Sequence, residues 1–351
     1  SILTVDLGGA LGKKGGSAKA KPVPFAAEMD IETPAERAHL LEHVWRQAGR
    51  KFYDPEMHGV DWPMMRDNYA ALLPHINNNH DFADLLSELL GELNASHTGA
   101  FYRQPKDGAA RTAGLGLLFE RLDGKPGLAI AEVLENGPAD RADSKLVPGV
   151  RITQIEGTQL TPAINISRLL NRKAGTRLRI RAVPAGGGDP FDEVLRPIPV
   201  RAERGLLYRR WVKRRNALVE KWSDGRLGYS HVRGMGDGSF RVLYHEALGK
   251  HGDKEALIVD TRANGGGWLH DDLIKFLEGR DYSWFVPRGK QRGQMGTEPA
   301  ARWSRPSVVL VDETNYSDAH FFPYAYQKLG LGKVIGAPVP GTATAVWWET
   351  L

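Results

Sequence analysis

The chain has 351 residues, 41% apolar and 25% charged, which fits a soluble protein of two or three domains with room for a sizeable core. It has no cysteine, which excludes disulfides, thiolate catalysis and cysteine-bound zinc. A net charge of +5 is small for this length, and no apolar run approaches the roughly 18 residues that cross a bilayer.

Residues 1–27 read as an extended segment: a lone strand at Ile2–Asp6, then a loose stretch of glycines and lysines. The start lacks the basic and apolar regions of a secretory leader, so none is read there. Residues 28–109 read as a helical domain. Thr33-Pro34 opens a first helix, Asp61-Trp62-Pro63 a second with Leu72 and Leu73 inward, and Asp81 caps a third that carries Ser96-His97 at its end.

Residues 110–199 switch to short strands between Gly and Pro turns, at Gly116–Glu120, Leu128–Val133, Arg151–Ile155 and Leu178–Val183, with a helical pattern at Ile164–Leu170. Their order resembles a PDZ domain. The matching pieces are Gly114-Leu115-Gly116-Leu117, Glu135-Asn136-Gly137-Pro138-Ala139 and Pro148–Gly157. That resemblance implies that Leu115, Gly116 and Leu117 bind a peptide carboxylate and that the next strand pairs with the peptide. The plainer alternative is a PDZ-shaped spacer that binds none.

Residues 200–351 alternate strands and helices, which argues a sheet with crossover helices and a site beyond the strand ends. The basic run Arg209-Arg210-Trp211-Val212-Lys213-Arg214-Arg215 reads as a solvated helix face rather than a nucleic-acid patch, because no nucleic-acid motif accompanies it. Two strand ends carry chemistry. Ser307–Asp312 runs into Asn315-Tyr316-Ser317-Asp318, and Ala256–Asp260 runs into Asp260-Thr261-Arg262-Ala263-Asn264-Gly265-Gly266-Gly267. Ser317 at a strand-to-helix turn suits a nucleophile, and its plainer role is a helix N-cap. The glycines let backbone amides approach a substrate, so the N–H groups of Gly267 and Asp318 are candidate oxyanion donors, with Gly265 and Gly266 beside the substrate. A P-loop is not spelled there, nor is Gly-x-Ser-x-Gly around the serine. His97 is the candidate base, though a histidine at a helix end more often caps carbonyls. No histidine spacing suggests a metal.

The order Ser-His, PDZ-like segment, Asp-x-Arg-x-Asn-Gly-Gly-Gly and Tyr-Ser-Asp resembles the tricorn-like branch of the tail-specific (C-terminal-processing) serine proteases, family S41, over roughly residues 28–346. Leu207–Val212, Gly225–Val232 and Lys328–Gly336 add to it. The resemblance implies an α/β multidomain protein: a helical N-terminal domain, a PDZ-like β domain and a crotonase/ClpP-like α/β protease domain. It implies a serine endopeptidase acting on unfolded or partly degraded polypeptides, with Ser317 as nucleophile, His97 as base, Ser96 positioning His97, and Gly267 and Asp318 holding the oxyanion. A β-propeller often precedes the helical segment in this family, so residues 1–27 read as its last strand.

Family members place a supporting glutamate well beyond the nucleophile. Only 34 residues follow Ser317 here, and their one glutamate, Glu349, falls too early to match. The chain therefore reads as truncated, cleaved or incompletely represented, with weak or absent turnover in this form. The alternative from another class is a catalytically silent peptide-binding module. A crotonase-type acyl-CoA enzyme would share the sheet but would not explain Ser96-His97. Tricorn proteases carry an acidic residue in the pocket before the cut. Counting forward from Gly267, the matching position is near Phe285, with Asp281 as the alternative. No cofactor, metal, nucleic acid or membrane span is expected. Peptides or polypeptides are the expected partners, a homo-oligomer is left open, and the bacterial periplasm is slightly favoured over the cytoplasm.

Overall fold

The computed structural model describes residues 3–5, 20–24, 26, 30, 32–103, 110–121, 124–291 and 296–351. The chain divides into two compact units, residues 1–103 with 348–351 and residues 104–347.

In the first unit, β1 (Leu3–Val5) pairs antiparallel with β2 (Ala20–Pro22), so the strand read as solitary has a partner. Three helices follow: α1 (Thr33–Lys51), α2 (Trp62–Ala70) and α3 (Asn79–Gly91). Pro34 sits in the first turn of α1, where its missing N–H costs nothing. Asp61 caps α2 by accepting from the Met64 N–H. The cap of α3 is Asn78, which accepts from the His80 and Asp81 amides. Asp81 lies instead in the first turn, where a carboxylate suits the positive helix end. α2 stops before Leu72, which is exposed, because Pro74 turns the chain into a short 3₁₀ segment. Leu41, Trp62, Phe82, Leu85, Leu86 and Leu89 form the buried centre of this unit.

The second unit holds two larger sheets and two two-stranded ribbons among the described residues. β3 (Ala113–Gly114), β4 (Leu117–Phe119), β5 (Leu128–Val133), β6 (Arg151–Ile155), β7 (Thr158–Gln159), the short helix α4 (Ile166–Leu170), β8 (Leu178–Val183), β9 (Phe191–Leu195) and β10 (Ile198–Pro199) come first. Their main sheet is antiparallel in the order β4-β5-β6-β8-β9, with β7 on β6, and β3 pairs separately with β10. Ile130, Ile152, Leu178 and Ile180 fill its core.

The 23-residue helix α5 (Val200–Trp222) leads into β11 (Leu227–His231), α6 (Asp237–His245), β12 (Ala256–Asp260), α7 (His270–Glu278), the small ribbon β13 (Ser283–Trp284) and β14 (Thr297–Glu298), β15 (Ser307–Val311), α8 (Asp318–Lys328) and β16 (Lys333–Gly336). Strands β11-β12-β15-β16 form an all-parallel sheet in that order. Parallel neighbours need crossover connections, and the buried faces of α7 and α8 (Leu273, Phe276, Ala319, Phe322) close over Leu257, Val259 and Val309. The carboxyl ends of β12 and β15 are adjacent, which brings their two loops together.

The basic run of α5 is more than a solvated face. Arg210 makes a two-pronged bond to Glu132 of β5 at 2.6 Å for each prong, Arg214 joins the same carboxylate at 2.8 Å, and Lys213 pairs with Glu135. The pairing holds the Glu132 carboxyl below its ordinary range, the Arg210 bond being the largest cause.

Candidate active site

Ser317 has φ 56° and ψ −123°, and the Ala319 N–H donates to the Tyr316 carbonyl at 3.0 Å. These are the marks of a type II′ turn with Ser317 at its first central position, a place that favours glycine. A serine held there costs on the order of 1–3 kcal/mol and persists only where the surroundings enforce it. The Ser317 hydroxyl makes no capping bond to α8, although the residue occupies the N-cap position. Its own N–H donates to the Thr342 Oγ1 at 3.1 Å.

The glycine loop lies directly against this turn. A Cβ at Gly266, where φ is +95°, would sit 2.7 Å from both the Ser317 Cβ and the Tyr316 carbonyl oxygen. One at Gly267 would collide with the Met235 carbonyl. The Tyr316 N–H donates to the Asn264 carbonyl at 3.0 Å and stitches the two loops together. Two fully buried amide side chains fix their shapes. Asn264 donates to the Val232 carbonyl and accepts from the Gly266 N–H, while Asn315 donates to the Thr261 hydroxyl and the Ala319 carbonyl and accepts from the Asp312 N–H. Buried amides are tolerated when bonded in this way. The N–H groups of Gly267 and Asp318 have no acceptor among the described residues. Gly265 and Gly267 are exposed.

The Asp318 carboxylate has a second task. It accepts from the backbone N–H groups of Leu269 at 2.6 Å and His270 at 3.1 Å, and it meets the His270 Nδ1 at 2.5 Å. One carboxylate thus begins α8, caps α7 and ties the serine turn to the far end of the glycine loop.

Upstream, the Asp-x-Arg pair is an internal clamp. Arg262 bonds both oxygens of the fully buried Asp260, and the Tyr229 hydroxyl donates to it at 2.8 Å. Burial pushes Asp260 up, but the bonds from Arg262 and Tyr229 outweigh it and leave the carboxyl below its usual range. Burial first, then Asp260, pushes the Tyr229 phenol up. His231 accepts or donates between the Tyr208 hydroxyl and the Arg262 carbonyl, at 2.9 Å each, and burial holds its pKa down.

In the first unit, α3 ends at Gly91 and Ser96-His97 follow in a turn rather than on the helix. His97 has φ 63°, and its Nδ1 lies 3.0 Å from the Ser96 Oγ. Burial lowers the His97 pKa, which favours the neutral imidazole. Glu349 is paired with the His43 Nε2 at 2.7 Å and with Lys51.

Sequence comparison agrees with the geometry. The profile of the tricorn protease C1 domain matches residues 33–91, and that of peptidase family S41 matches residues 226–350. Two tricorn protease homologues of Streptomyces coelicolor are 32% and 31% identical to the chain, over 92% and 87% of it. The tricorn protease of Thermoplasma acidophilum is 26% identical over 88% of the chain. The chain belongs to the tricorn-like branch of peptidase family S41. It spans only 29% of the length of each of these relatives. A crystal structure of the tricorn protease shares the fold, with a TM-score of 0.72 at 24% identity over 89% of this chain and 30% of that one.

Other candidate residues of this tricorn-like chain lie elsewhere. Phe285 follows β13, is 49% exposed, and is bonded through its N–H to the Gly296 carbonyl, so it is not a core residue. Asp281 is ion-paired with Arg302. Leu115 and Leu117 are buried, and the Gly116 N–H already donates to the Glu203 carboxylate. Sequence reading missed this glutamate and the carboxylate role of Asp318. An acidic residue in the first turn of α5 and another at the start of α8 were the only visible signals.

Proposed function

We propose that the chain carries the proteolytic machinery of a serine peptidase acting on unfolded or partly degraded polypeptides. The observation that carries this reading is the Ser317 turn: a hydroxyl that makes no capping bond to its helix, on strained backbone, packed on a glycine loop, beside two N–H groups that have no acceptor among the described residues. In the proposed reaction the Ser317 Oγ attacks the scissile carbonyl carbon while His97 takes its proton. The N–H groups of Gly267 and Asp318 stabilise the oxyanion. His97 returns the proton to the leaving amine, and water then cleaves the acyl-enzyme by the same route. Ser96, bonded to the His97 Nδ1, would hold the ring in one orientation.

The same reading assigns residues 28–109 to a helical domain, 110–199 to a PDZ-like domain and 200–351 to a crotonase/ClpP-like protease domain. Polypeptides or peptides are the proposed partners, and a homo-oligomer is part of this family-based picture. A fluorophosphonate probe tests the central assignment. Labelling should map to the peptide containing Ser317 and vanish in Ser317→Ala, whereas a silent peptide-binding module would stay unlabelled.

A further inference from the structure

The turn Gly114–Leu117 has the form expected to receive the carboxylate of a peptide terminus. In this chain a carboxylate is already there. The Gly116 N–H donates to the Glu203 Oε1 at 2.7 Å. A Cβ at Gly114 would collide with the Glu203 carboxyl carbon and both its oxygens. Gly114 is therefore the open floor of the seat and Gly116 its donor. Gly116 also needs its freedom, since its φ is +68° and a Cβ there would lie 2.6 Å from the Pro138 ring.

Register explains how Glu203 arrives. β3 and β10 pair with Ile198 opposite Gly114 and Pro199 opposite Ala113. β10 runs straight into α5, whose first turn carries Glu203. Further along the same helix, Arg210, Arg214 and Lys213 grip Glu132 and Glu135. The helix is thus held in place independently, and the carboxyl group can leave the turn by a side-chain rotation alone. β4, the strand after the turn, is the terminal strand of its sheet, as strand addition by a peptide requires.

We infer that Glu203 is a built-in ligand that closes this turn, so that a polypeptide's C-terminal carboxylate binds there only by displacing it. An intramolecular carboxylate competes at an effective concentration of about millimolar order, which weakens any incoming terminus correspondingly. The inference rests on the PDZ-like reading of residues 110–199. It is tested by binding, so it can fail while the peptidase assignment stands, and the reverse.

The probe is a fluorescent library of random peptides with free C-termini, beside the same library amidated, measured by anisotropy on the full chain. Glu203→Ala should bind the free acids roughly tenfold or more tightly than the unaltered chain, the scale of one charge-assisted hydrogen bond. It should ignore the amides. Adding Gly114→Ala should abolish the gain, because the new methyl fills the seat. If thermal melting shows that Glu203→Ala does not fold, Glu203→Gln, which keeps an acceptor for Gly116 but loses the charge, should give a smaller gain with the same preference for acids over amides. Equal binding by the unaltered chain and the variant, or failure to distinguish acid from amide, overturns the inference.

Discussion

Asp318 Oδ1 and His270 Nδ1 lie 2.5 Å apart, joining the residue after the candidate nucleophile to the first residue of α7. The contact sets the start of α8 through its side chain, and the neighbouring backbone N–H is the proposed oxyanion donor. Asp318→Ala should leave the Leu269 and His270 amides without their cap and destabilise the fold by about 0.5–2 kcal/mol. It should also lower kcat more than it raises KM, by up to roughly 10²-fold if the donor loses its aim. Asp318→Asn keeps an acceptor and should recover most of the stability. Urea melts and steady-state kinetics measure both. Unchanged midpoint and kcat in Asp318→Ala would show that the carboxylate positions nothing.

Ser317 offers a cleaner separation of strain from chemistry. Its hydroxyl caps nothing, so Ser317→Ala should change stability by no more than about 0.5 kcal/mol while lowering kcat roughly 10³-fold or more. Ser317→Gly relieves the positive-φ backbone and should raise stability by about 1 kcal/mol, with equal loss of fluorophosphonate labelling. Thermal unfolding of both variants decides the point. A marked destabilisation by Ser317→Ala would return the residue to the role of a helix cap.

Much of both sheets, antiparallel and parallel, was legible because their strands are short apolar or alternating runs bounded by turn residues. Leu128–Val133, Arg151–Ile155, Leu178–Val183 and Ala256–Asp260 occur as read. β9 was not legible, because Asp192 and Glu193 interrupt the apolar pattern of Phe191–Leu195. The closeness of Ser317 to the glycine loop followed from two strand ends in one parallel sheet. What holds them could not be read. Asn264, Asn315 and the Asp318 carboxylate are fixed by contacts 32 to 54 residues apart in sequence for the side-chain bonds that matter most, and Glu203 meets Gly116 across 87. Such pairs leave no local period. A polar residue at a loop looks the same in sequence whether it faces water or is fully buried.

The pH profile should report His97. Its burial disfavours the imidazolium, so the pKa lies below the ordinary value of 6.5. A general base works in its neutral form, present above the pKa. The acid limb of kcat/KM should therefore reach half-height below pH 6.5, and activity should be lost only as pH falls through that lower value. Ser96→Ala, which removes the Nδ1 partner, should reduce kcat without abolishing labelling of Ser317. An acid limb centred above pH 7 would contradict His97 as the base in this environment.

Specificity is the last test. Phe285 is half exposed on the ribbon segment, and the competing acidic candidate, Asp281, is already neutralised by Arg302, whose guanidinium is itself mostly buried. A substrate lysine entering a pocket lined by Phe285 would lose water without gaining a partner, which is costly. Apolar or aromatic residues before the cut should instead gain roughly 1.5–3 kcal/mol from burial against the ring. Cleavage profiling on a peptide library should therefore show apolar residues at that position, and Phe285→Asp should shift the preference towards lysine and arginine. Dominant cleavage after basic residues by the unaltered protein would refute the Phe285 reading. Asp281 would then have to exchange Arg302 for the substrate, and Arg302→Ala should strengthen the basic preference further.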